Sequence, residues 1–336
     1  MTERRPLARQ AGLLIVSFIA TLGVLAGLLS VVSGRSLGSN SPSGIAIAPS
    51  LAASVGAPGG AVSAPPEVSG DPVLVGAGDI ADCNSPASAE TAKLIEGIAG
   101  NVFTAGDNAY PEGTADQFSK CYDPTWGQFK ARTRPAAGNH DYKTKGAAGY
   151  LGYFGSAATN KDGKTWYSYD LGRWHVIVLD ANCTEVQVGG CGTASPQGQW
   201  LTAVLAASKA RCTVAIWHQP RFSSGVHGND LAVSPFWDAL YAAGVDIVVN
   251  GHDHDYERFK PQTPLGATDL NRGIREFVVG TGGEALRVFG IDKPNSDIRA
   301  TVDHGVLKLT LHPTGYDWAF VTVTGIFSDS GSATCH

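Results

Sequence analysis

The feature that most constrains the fold of this chain is a set of six short apolar runs, rich in β-branched residues, each ending in Gly, Asp, Asn or His. They are VLVGAGD (73–79), NVFTAGD (101–107), RPAAGNHD (134–141), HVIVLDANC (175–183), TVAIWHQP (213–220) and DIVVNGHDH (246–254). Short apolar runs bounded by turn residues are typical of buried strands. The sequence therefore predicts a sheet whose strands end in polar side chains.

Helical patterns separate most of these strands. Residues 85–100, 195–210 and 234–244 each begin with Ser-Pro and carry apolar residues near helical spacing. This alternation predicts an α/β domain with mainly parallel central strands. After Arg272 the pattern changes to strands joined by turns, at 274–283, 304–315 and 316–325, so we expect the C-terminal part to be antiparallel.

The N-terminal part differs in composition from the rest. Residues 11–32 form an uncharged apolar run of 22 residues that follows Arg4, Arg5 and Arg9. A cleaved signal peptide has an apolar core of about 7–15 residues, so this length favours an uncleaved signal-anchor, with cleavage as the alternative. The arginines place the bulk of the chain outside the cytoplasm. Residues 33–72, rich in Ser, Gly, Ala and Pro, predict a disordered linker. The predicted domains are therefore 1–32, 33–72 and a globular domain at 73–336.

Charge and cysteine content narrow the class of protein. The net charge is −5 and no block of Lys or Arg follows residue 9, which argues against a nucleic-acid scaffold role. Six cysteines lie in the part predicted to be exported, and an even number there indicates disulfides, although many pairings are possible. We predict Cys183–Cys191 across a short Gly-rich loop, Cys83–Cys121 between two loops that follow strands, and Cys212–Cys335 at the C-terminus.

The polar clusters are expected to converge, because ligands bind at the carboxyl edge of the strands in open α/β sheets. Taken singly, Asp79 or Asp107 is an ordinary turn residue and His218 an ordinary packed histidine. Taken together, the clusters offer carboxylate, amide and imidazole groups without thiolate, which suits zinc, manganese or iron. A central carboxylate could bridge two ions about 3.5–4 Å apart, as in enzymes that displace groups at phosphorus.

The order of these motifs across 79–254 resembles that of the calcineurin-like metallophosphoesterases. Within that family, GDNAY with its tyrosine at 110, the sequence GHDHDYER and the lack of a histidine at position 81 are similar to the purple acid phosphatase branch. Ala81 is a small departure, since that branch usually has glycine there. The resemblance implies a mixed α/β (α+β) fold, a four-layer αββα sandwich of two mixed sheets.

The resemblance also implies a binuclear metal centre. One ion, ferric iron, would be bound by Asp79, Asp107, Tyr110 and His254, and the other, divalent iron, zinc or manganese, by Asp107, Asn139, His218 and His252. Asp107 would bridge the two ions, and His252 and His254 would serve different ions. A tyrosinate on ferric iron would colour the protein, whereas the ordinary alternative for Tyr110 is a packed tyrosine.

Three further residues receive catalytic roles from the resemblance. His140 would protonate the leaving group, Asp141 would orient His140, and His227 would bind substrate unless it is an ordinary surface residue. The aspartates at 253 and 255 are predicted to be loop residues that orient imidazoles. Tyr256 and Arg258 are predicted to be structural, with the arginine paired to a carboxylate.

The implied activity is hydrolysis of small phosphomonoesters, with a metal-bound hydroxide as the nucleophile. The enzyme would be extracytoplasmic, either membrane-anchored or secreted. Hydrolysis of phosphodiesters, such as cyclic nucleotides, nucleic-acid ends or phospholipids, stays open because the same ions serve both reactions. A non-catalytic membrane-tethered binding protein is disfavoured because no ligand position is substituted.

Overall fold

The computed structural model describes residues 70–336, which form thirteen strands in two sheets. The first sheet has six strands. Three strands at one edge are parallel to one another, and the other three pair antiparallel. Their order across the sheet is β13 (Asp329–Thr334), β12 (Gly315–Thr322), β11 (Gly305–His312), β1 (Val73–Ala77), β2 (Asn101–Ala105) and β3 (Thr133–Ala136).

The second sheet has seven strands and is also mixed. Their order is β10 (Ser296–Ala300), β8 (Tyr256–Phe259), β9 (Arg275–Val279), β7 (Ile247–Asn250), β6 (Cys212–Ile216), β5 (Trp174–Val178) and β4 (Tyr167–Leu171). Strands β5, β6, β7 and β9 are parallel, and β4, β8 and β10 pair antiparallel to their neighbours. All six predicted strand runs are therefore strands, each ending before its polar cluster.

Helices lie between the strands and on the outer faces of the sheets. They are α1 (Ala87–Glu96), α2 (Ala115–Gln117), α3 (Asn139–Lys143), α4 (Ala148–Phe154), α5 (Pro196–Ala207) and α6 (Ser234–Ala242). Short π- and 3₁₀-helical turns span Phe118–Tyr122, Trp126–Arg132, Lys145–Ala147 and Gly155–Ala158. The three predicted helices are confirmed with shorter bounds. α5 begins where predicted because the Ser195 hydroxyl accepts the Gly198 N–H and Pro196 opens the helix.

The second sheet is buried on both faces, which produces the layered architecture. Residues such as Val214 and Ile216 belong to the core between the sheets, whereas the alternate residues Ala215 and Trp217 pack with α5 and α6. α1 packs against the strands of the first sheet. The result is two mixed sheets face to face with helices outside, which confirms the mixed α/β fold.

The C-terminal part is only partly antiparallel, which corrects the sequence prediction. Strands β11, β12 and β13 form an antiparallel meander as expected. Strand β9, however, runs parallel to β7, with Ile247 opposite Arg275. The intervening β8 leaves the β7 edge and pairs antiparallel on the far side of β9. A strand-like run in the sequence does not show which other strand it will pair with in the sheet.

The structure joins the same three cysteine pairs that were predicted, Cys83–Cys121, Cys183–Cys191 and Cys212–Cys335. Three disulfides indicate folding in an oxidising compartment. The predicted signal-anchor at 11–32 and most of the predicted linker at 33–72 lie outside the described residues. Within 70–336, no helix has the length and apolar character needed to cross a membrane.

The YER segment forms strand β8 and connects the two sheets through a buried carboxylate on β13. Asp329 accepts hydrogen bonds from the Tyr256 hydroxyl at 2.6 Å, from Arg258 Nε at 2.7 Å and from Trp318 Nε1 at 3.1 Å. Arg258 also contacts Asp297, which is more exposed. Tyr256 and Arg258 are therefore structural, as the sequence predicted.

Candidate metal centre

All seven predicted ligands meet at one edge of the two sheets. Asp79 and Asp107 follow β1 and β2, and Asn139 opens α3 directly after β3. His218 follows β6, and the two histidines of GHDH follow β7. Because these parallel strands end at the same edge, residues far apart in sequence are brought within hydrogen-bonding distance.

The first group of contacts surrounds the Tyr110 hydroxyl. This oxygen lies 2.7 Å from Asp79 Oδ1, 3.0 Å from Asp107 Oδ2 and 3.3 Å from His254 Nε2. His254 Nε2 is in turn 3.3 Å from Asp79 Oδ1. All four side chains are buried. The four side chains predicted to bind the first ion therefore contact one another directly in one buried cluster.

The second group of contacts surrounds His218. Its Nε2 lies 3.1 Å from Asp107 Oδ2, 3.1 Å from Asn139 Oδ1 and 3.3 Å from His252 Nδ1. Asp107 Oδ2 therefore belongs to both groups. The structure places this carboxylate between the Tyr110 side and the His218 side, where a bridging ligand is expected.

Each of two buried imidazoles is oriented by a backbone carbonyl. His218 Nδ1 lies 2.8 Å from the Ala105 oxygen, and His254 Nδ1 lies 2.9 Å from the Ala285 oxygen. Since a carbonyl only accepts, Nδ1 carries a proton in each ring, and an ion that displaced any proton on Nε2 would leave the Nδ1–H tautomer. This is the tautomer that binding through Nε2 requires.

The prediction that Asp253 and Asp255 orient imidazoles is wrong. Asp253 instead accepts hydrogen bonds from the Ser223 hydroxyl, the His227 amide at 2.8 Å and the Gly228 amide at 3.3 Å, so it holds the loop that carries His227. Asp255 is buried, and its carboxylate has no hydrogen-bond partner among the described residues. The backbone carbonyls that take the predicted role leave no signal in a sequence.

The charges of the cluster perturb one another strongly. Burial raises the pKa of Tyr110 well above the ordinary value, and the adjacent Asp107 and Asp79 charges raise it further. Burial would lower the pKa of His218, but the same two carboxylates raise it to about 9. Burial, His218 and His227 lower the pKa of His252 to about 3. Two buried carboxylates thus attract positive charge to this centre.

The backbone of the cluster is strained. Of the four non-glycine residues with positive φ among residues 70–336, three are predicted ligands: Asp79 (φ 59°), Asp107 (φ 49°) and His252 (φ 74°). The left-handed conformation costs roughly 1–2 kcal/mol for such residues. Strain of this kind is characteristic of functional sites. It also shows that GHDH is a sharp turn.

Close packing around Asp107 requires a glycine at position 138. A β-carbon built there would lie 2.2 Å from Asp107 Oδ1 and 2.3 Å from the Asp107 amide nitrogen. No side chain fits at that distance, so the glycine before Asn139 lets the β2 and β3 loops meet.

His140 lies beside the cluster, but Asp141 does not orient it. His140 Nδ1 is 2.7 Å from the Pro111 oxygen, and its Nε2 is 4.0 Å from Asp107 Oδ2. Asp141 is buried and accepts hydrogen bonds from the amide of Gly138 and the side chain of Asn108, each at 2.9 Å. Asp141 therefore ties the β2 and β3 loops together, because the first turn of α3 directs its carboxylate inwards, away from the neighbouring ring.

His227 reaches the cluster from the outside. Its ring lies over His252, with centroids 4.4 Å apart, and its Nε2 is 2.6 Å from Arg287 Nη1. Arg287 belongs to the loop after β9, and Lys143 of α3 stands beside His140 at 3.0 Å from Nδ1. These two cations were not predicted, because an isolated Lys or Arg in a loop or a short helix carries no sequence signal.

The residues present have the chemistry to hold metal ions. One oxygen or nitrogen from each of Asp79, Asp107 and His218 lies within 4.8 Å of the others. The donors are carboxylate, phenol, amide and imidazole, with no thiolate, which suits iron, zinc or manganese. Positive charge bound among them would offset the burial of the two carboxylates.

Comparison with known proteins agrees with this geometry. Residues 64–256 match the family model described as calcineurin-like phosphoesterase. The chain is 32% identical over 183 residues to an uncharacterised protein of Mycobacterium tuberculosis, which covers 44% of this chain and 35% of that protein. It is 27% identical over 232 residues to purple acid phosphatase 21 of Arabidopsis thaliana. That alignment covers 60% of this chain and 51% of the plant protein.

A solved structure shares the fold. Purple acid phosphatase PPD1 from yellow lupin (Lupinus luteus) seeds aligns with a TM-score of 0.61 and 21% identity, over 78% of this chain and 53% of that chain. The chain spans about a third to a half of the length of the curated relatives described above.

Proposed function

Because the chain belongs to the calcineurin-like phosphoesterase family, we propose that it hydrolyses phosphomonoesters at a binuclear metal centre of purple acid phosphatase type. The observation that carries the proposal is the shared position of Asp107. Its Oδ2 lies 3.0 Å from the Tyr110 hydroxyl and 3.1 Å from His218 Nε2, so one carboxylate oxygen faces both groups of donors.

The two groups of donors support the assignment of two different ions. Asp79, Asp107, Tyr110 and His254 would hold ferric iron, which favours the anionic phenolate and would offset the raised pKa of Tyr110. Asp107, Asn139, His218 and His252 would hold divalent iron, zinc or manganese. Such ions, when bound, acidify a water molecule and stabilise negative charge on phosphoryl oxygens.

The proposed work of the protein itself is positioning and proton transfer. His140 is the candidate proton donor to the leaving oxygen, because its ring is fixed through Nδ1 and its Nε2 faces Asp107 at 4.0 Å. His227 is a candidate substrate-binding residue above His252. Asp141 supports His140 by tying together the loops that carry Asp107 and Asn139.

We place this enzyme outside the cytoplasm, as the three disulfides support. The predicted division at 1–32, 33–72 and 73–336 and the signal-anchor at 11–32 are retained as proposals. Mass determination of the mature N-terminus would test whether 11–32 stays attached.

The decisive experiment is a combined metal, spectral and kinetic analysis of the purified protein. We expect close to two metal ions per chain, at least one of them iron, with a visible absorption band that disappears in Tyr110→Phe. Paired monoester and diester substrates should show preference for the monoester. A colourless, iron-free protein active with other metals would remove the purple acid phosphatase assignment, and preference for diesters would replace the substrate class.

Replacing His140 with asparagine is expected to lower kcat by about 100-fold, the scale of general acid catalysis. The loss should be larger for an alkyl phosphate than for 4-nitrophenyl phosphate, because a good leaving group departs without protonation. His312→Asn is the matched control, since His312 pairs with Asp71 and Asp317 at the surface. Equal losses for the two substrates would show that His140 does not act as the proton donor.

A further inference from the structure

Two cations stand beside His140 and His227, the two histidines that border the ligand cluster without belonging to it. Arg287 Nη1 is 2.6 Å from His227 Nε2, and Lys143 Nζ is 3.3 Å from His140 Nε2. Lys and Arg only donate hydrogen bonds, so His227 Nε2 must accept from Arg287. Lys143 Nζ is also 3.0 Å from His140 Nδ1, but that nitrogen faces the Pro111 oxygen, so Lys143 lies beside His140 as a charge without an acceptor at Nδ1. Among residues 70–336, neither cation forms an ion pair with a carboxylate, although the adjacent cluster is rich in them.

Arg287 is held in place by the metal-centre loops. Its amide donates to the His254 oxygen at 3.0 Å, while His254 Nδ1 donates to the oxygen of Ala285 at 2.9 Å. Its guanidinium reaches across to His227, whose ring covers His252. One of its five N–H groups is engaged there, and the structure gives the side chain no other partner within the described part of the chain.

Lys143 is placed on the other side of the centre by α3. Its ammonium accompanies His140, whose ring packs against Tyr110 with centroids 4.5 Å apart. The centre is thus flanked by an exposed ammonium on the Tyr110 side and by a half-buried guanidinium above His252. We name this pair, Lys143 and Arg287, the cationic rim.

We propose that the cationic rim selects phosphomonoesters whose leaving group carries a second anionic group, either a phosphate or a carboxylate. The inference rests on the proposed function. The transferred phosphoryl group would be held by the ions and by His140 and His227, which leaves the rim charges for another part of the substrate. A guanidinium pairs well with phosphate or carboxylate, and unpaired cations at a cleft attract anions.

The rim implies a preference that depends on charge rather than on size. Fructose 1,6-bisphosphate should be hydrolysed with a higher kcat/KM than fructose 6-phosphate, and 3-carboxyphenyl phosphate with a higher value than phenyl phosphate. We expect each ratio to be about tenfold, which is the scale of one hydrogen bond to a charged group. The preference should reside in KM and should fall as salt screens the rim charges.

The test compares these ratios in the wild-type protein, Arg287→Gln, Lys143→Gln and the double variant. Lys293→Gln is the matched control, because Lys293 lies six residues further along the loop of Arg287. We expect both ratios to fall toward one in the double variant and to stay unchanged in the control. Titration calorimetry provides a readout without turnover, since inorganic pyrophosphate should bind more tightly than inorganic phosphate and lose this advantage in the double variant.

The outcomes separate this inference from the proposed function. If phenyl phosphate is hydrolysed but the ratios are near one, or are the same in the double variant, the rim does not select the substrate and the phosphatase proposal stands. Preference for neutral aryl phosphates, which the exposed Val226 and Val288 beside His227 and Arg287 would favour, would also overturn it. If no phosphomonoester is hydrolysed, the proposed function fails and this inference fails with it.

Discussion

The Asp107→Asn variant is expected to lose at least about 1,000-fold in kcat/KM toward phosphomonoesters, because ligation by both ions is worth several kcal/mol and each 1.36 kcal/mol is a factor of ten. Asp107 Oδ2 faces both groups of donors, so the neutral amide weakens both ion sites at once. Metal analysis of the purified variant should show fewer ions per chain than the wild-type protein.

The fold should survive this change. Asn tolerates the left-handed conformation that Asp107 adopts, with φ 49°. It also removes the carboxylate that pairs with His218. Burial opposes the charge of Asp107, but His218 lowers its pKa below the ordinary value, so the ion-free variant should stay folded and unfold at a lower temperature than the ion-free wild-type protein. Asp317→Asn, an exposed change on β12, is the control for a lost aspartate charge. A variant that keeps both ions and a tenth of the activity would refute the shared-ligand assignment.

The Asp329→Ala variant is expected to destabilise the protein by about 3–5 kcal/mol, because it leaves the Arg258 charge buried without its main partner. Arg258 contacts both oxygens of this carboxylate, at 2.7 and 3.2 Å, and Tyr256 and Trp318 donate to it as well. In a domain of this size the melting temperature should fall by on the order of 10 °C, which thermal unfolding followed by circular dichroism would measure.

Asp297→Ala provides a matched control on the same guanidinium. Asp297 lies 2.6 Å from Arg258 Nη1, but its side chain is 34% exposed, against 5% for Asp329. A partly exposed ion pair contributes about 1 kcal/mol or less, so this variant should unfold close to the wild-type temperature. Equal destabilisation by the two variants would mean that burial does not determine the strength of these contacts.

The strand ends and the polar side chains that follow them were predictable from sequence because their signals are local. Asp79, Asp107 and His218 each follow a short apolar run directly, and parallel strands bring such ends together whatever the loops between them do. The pairing of Arg258 with a carboxylate was also predicted, and the structure confirms it through Asp329. The identity of the bound ions and the catalytic roles of the surrounding residues remain proposals.

The parts that sequence did not reveal depend on contacts between distant segments. Strand β9 pairs with β7, although β8 is the next strand in sequence after β7. The GHDH segment must therefore turn sharply so that β8 can pair on the far side of β9. Asp141 and Asp253 were predicted to orient the histidines next to them in sequence. Their carboxylates instead accept hydrogen bonds from backbone amides of loops. Lys143 and Arg287 have no pattern of their own, and only the fold places them beside His140 and His227.

The left-handed residues of the metal centre have a consequence for comparing relatives of this chain. Glycine adopts such angles without steric penalty, so selection for stability alone would favour glycine at positions 79, 107 and 252. Aspartate and histidine at these positions pay the conformational free energy of the left-handed region, which glycine avoids. A lineage that no longer uses the site should lose these residues early. Drift to glycine at these three positions is therefore a simple criterion for separating working members from those that retain only the scaffold.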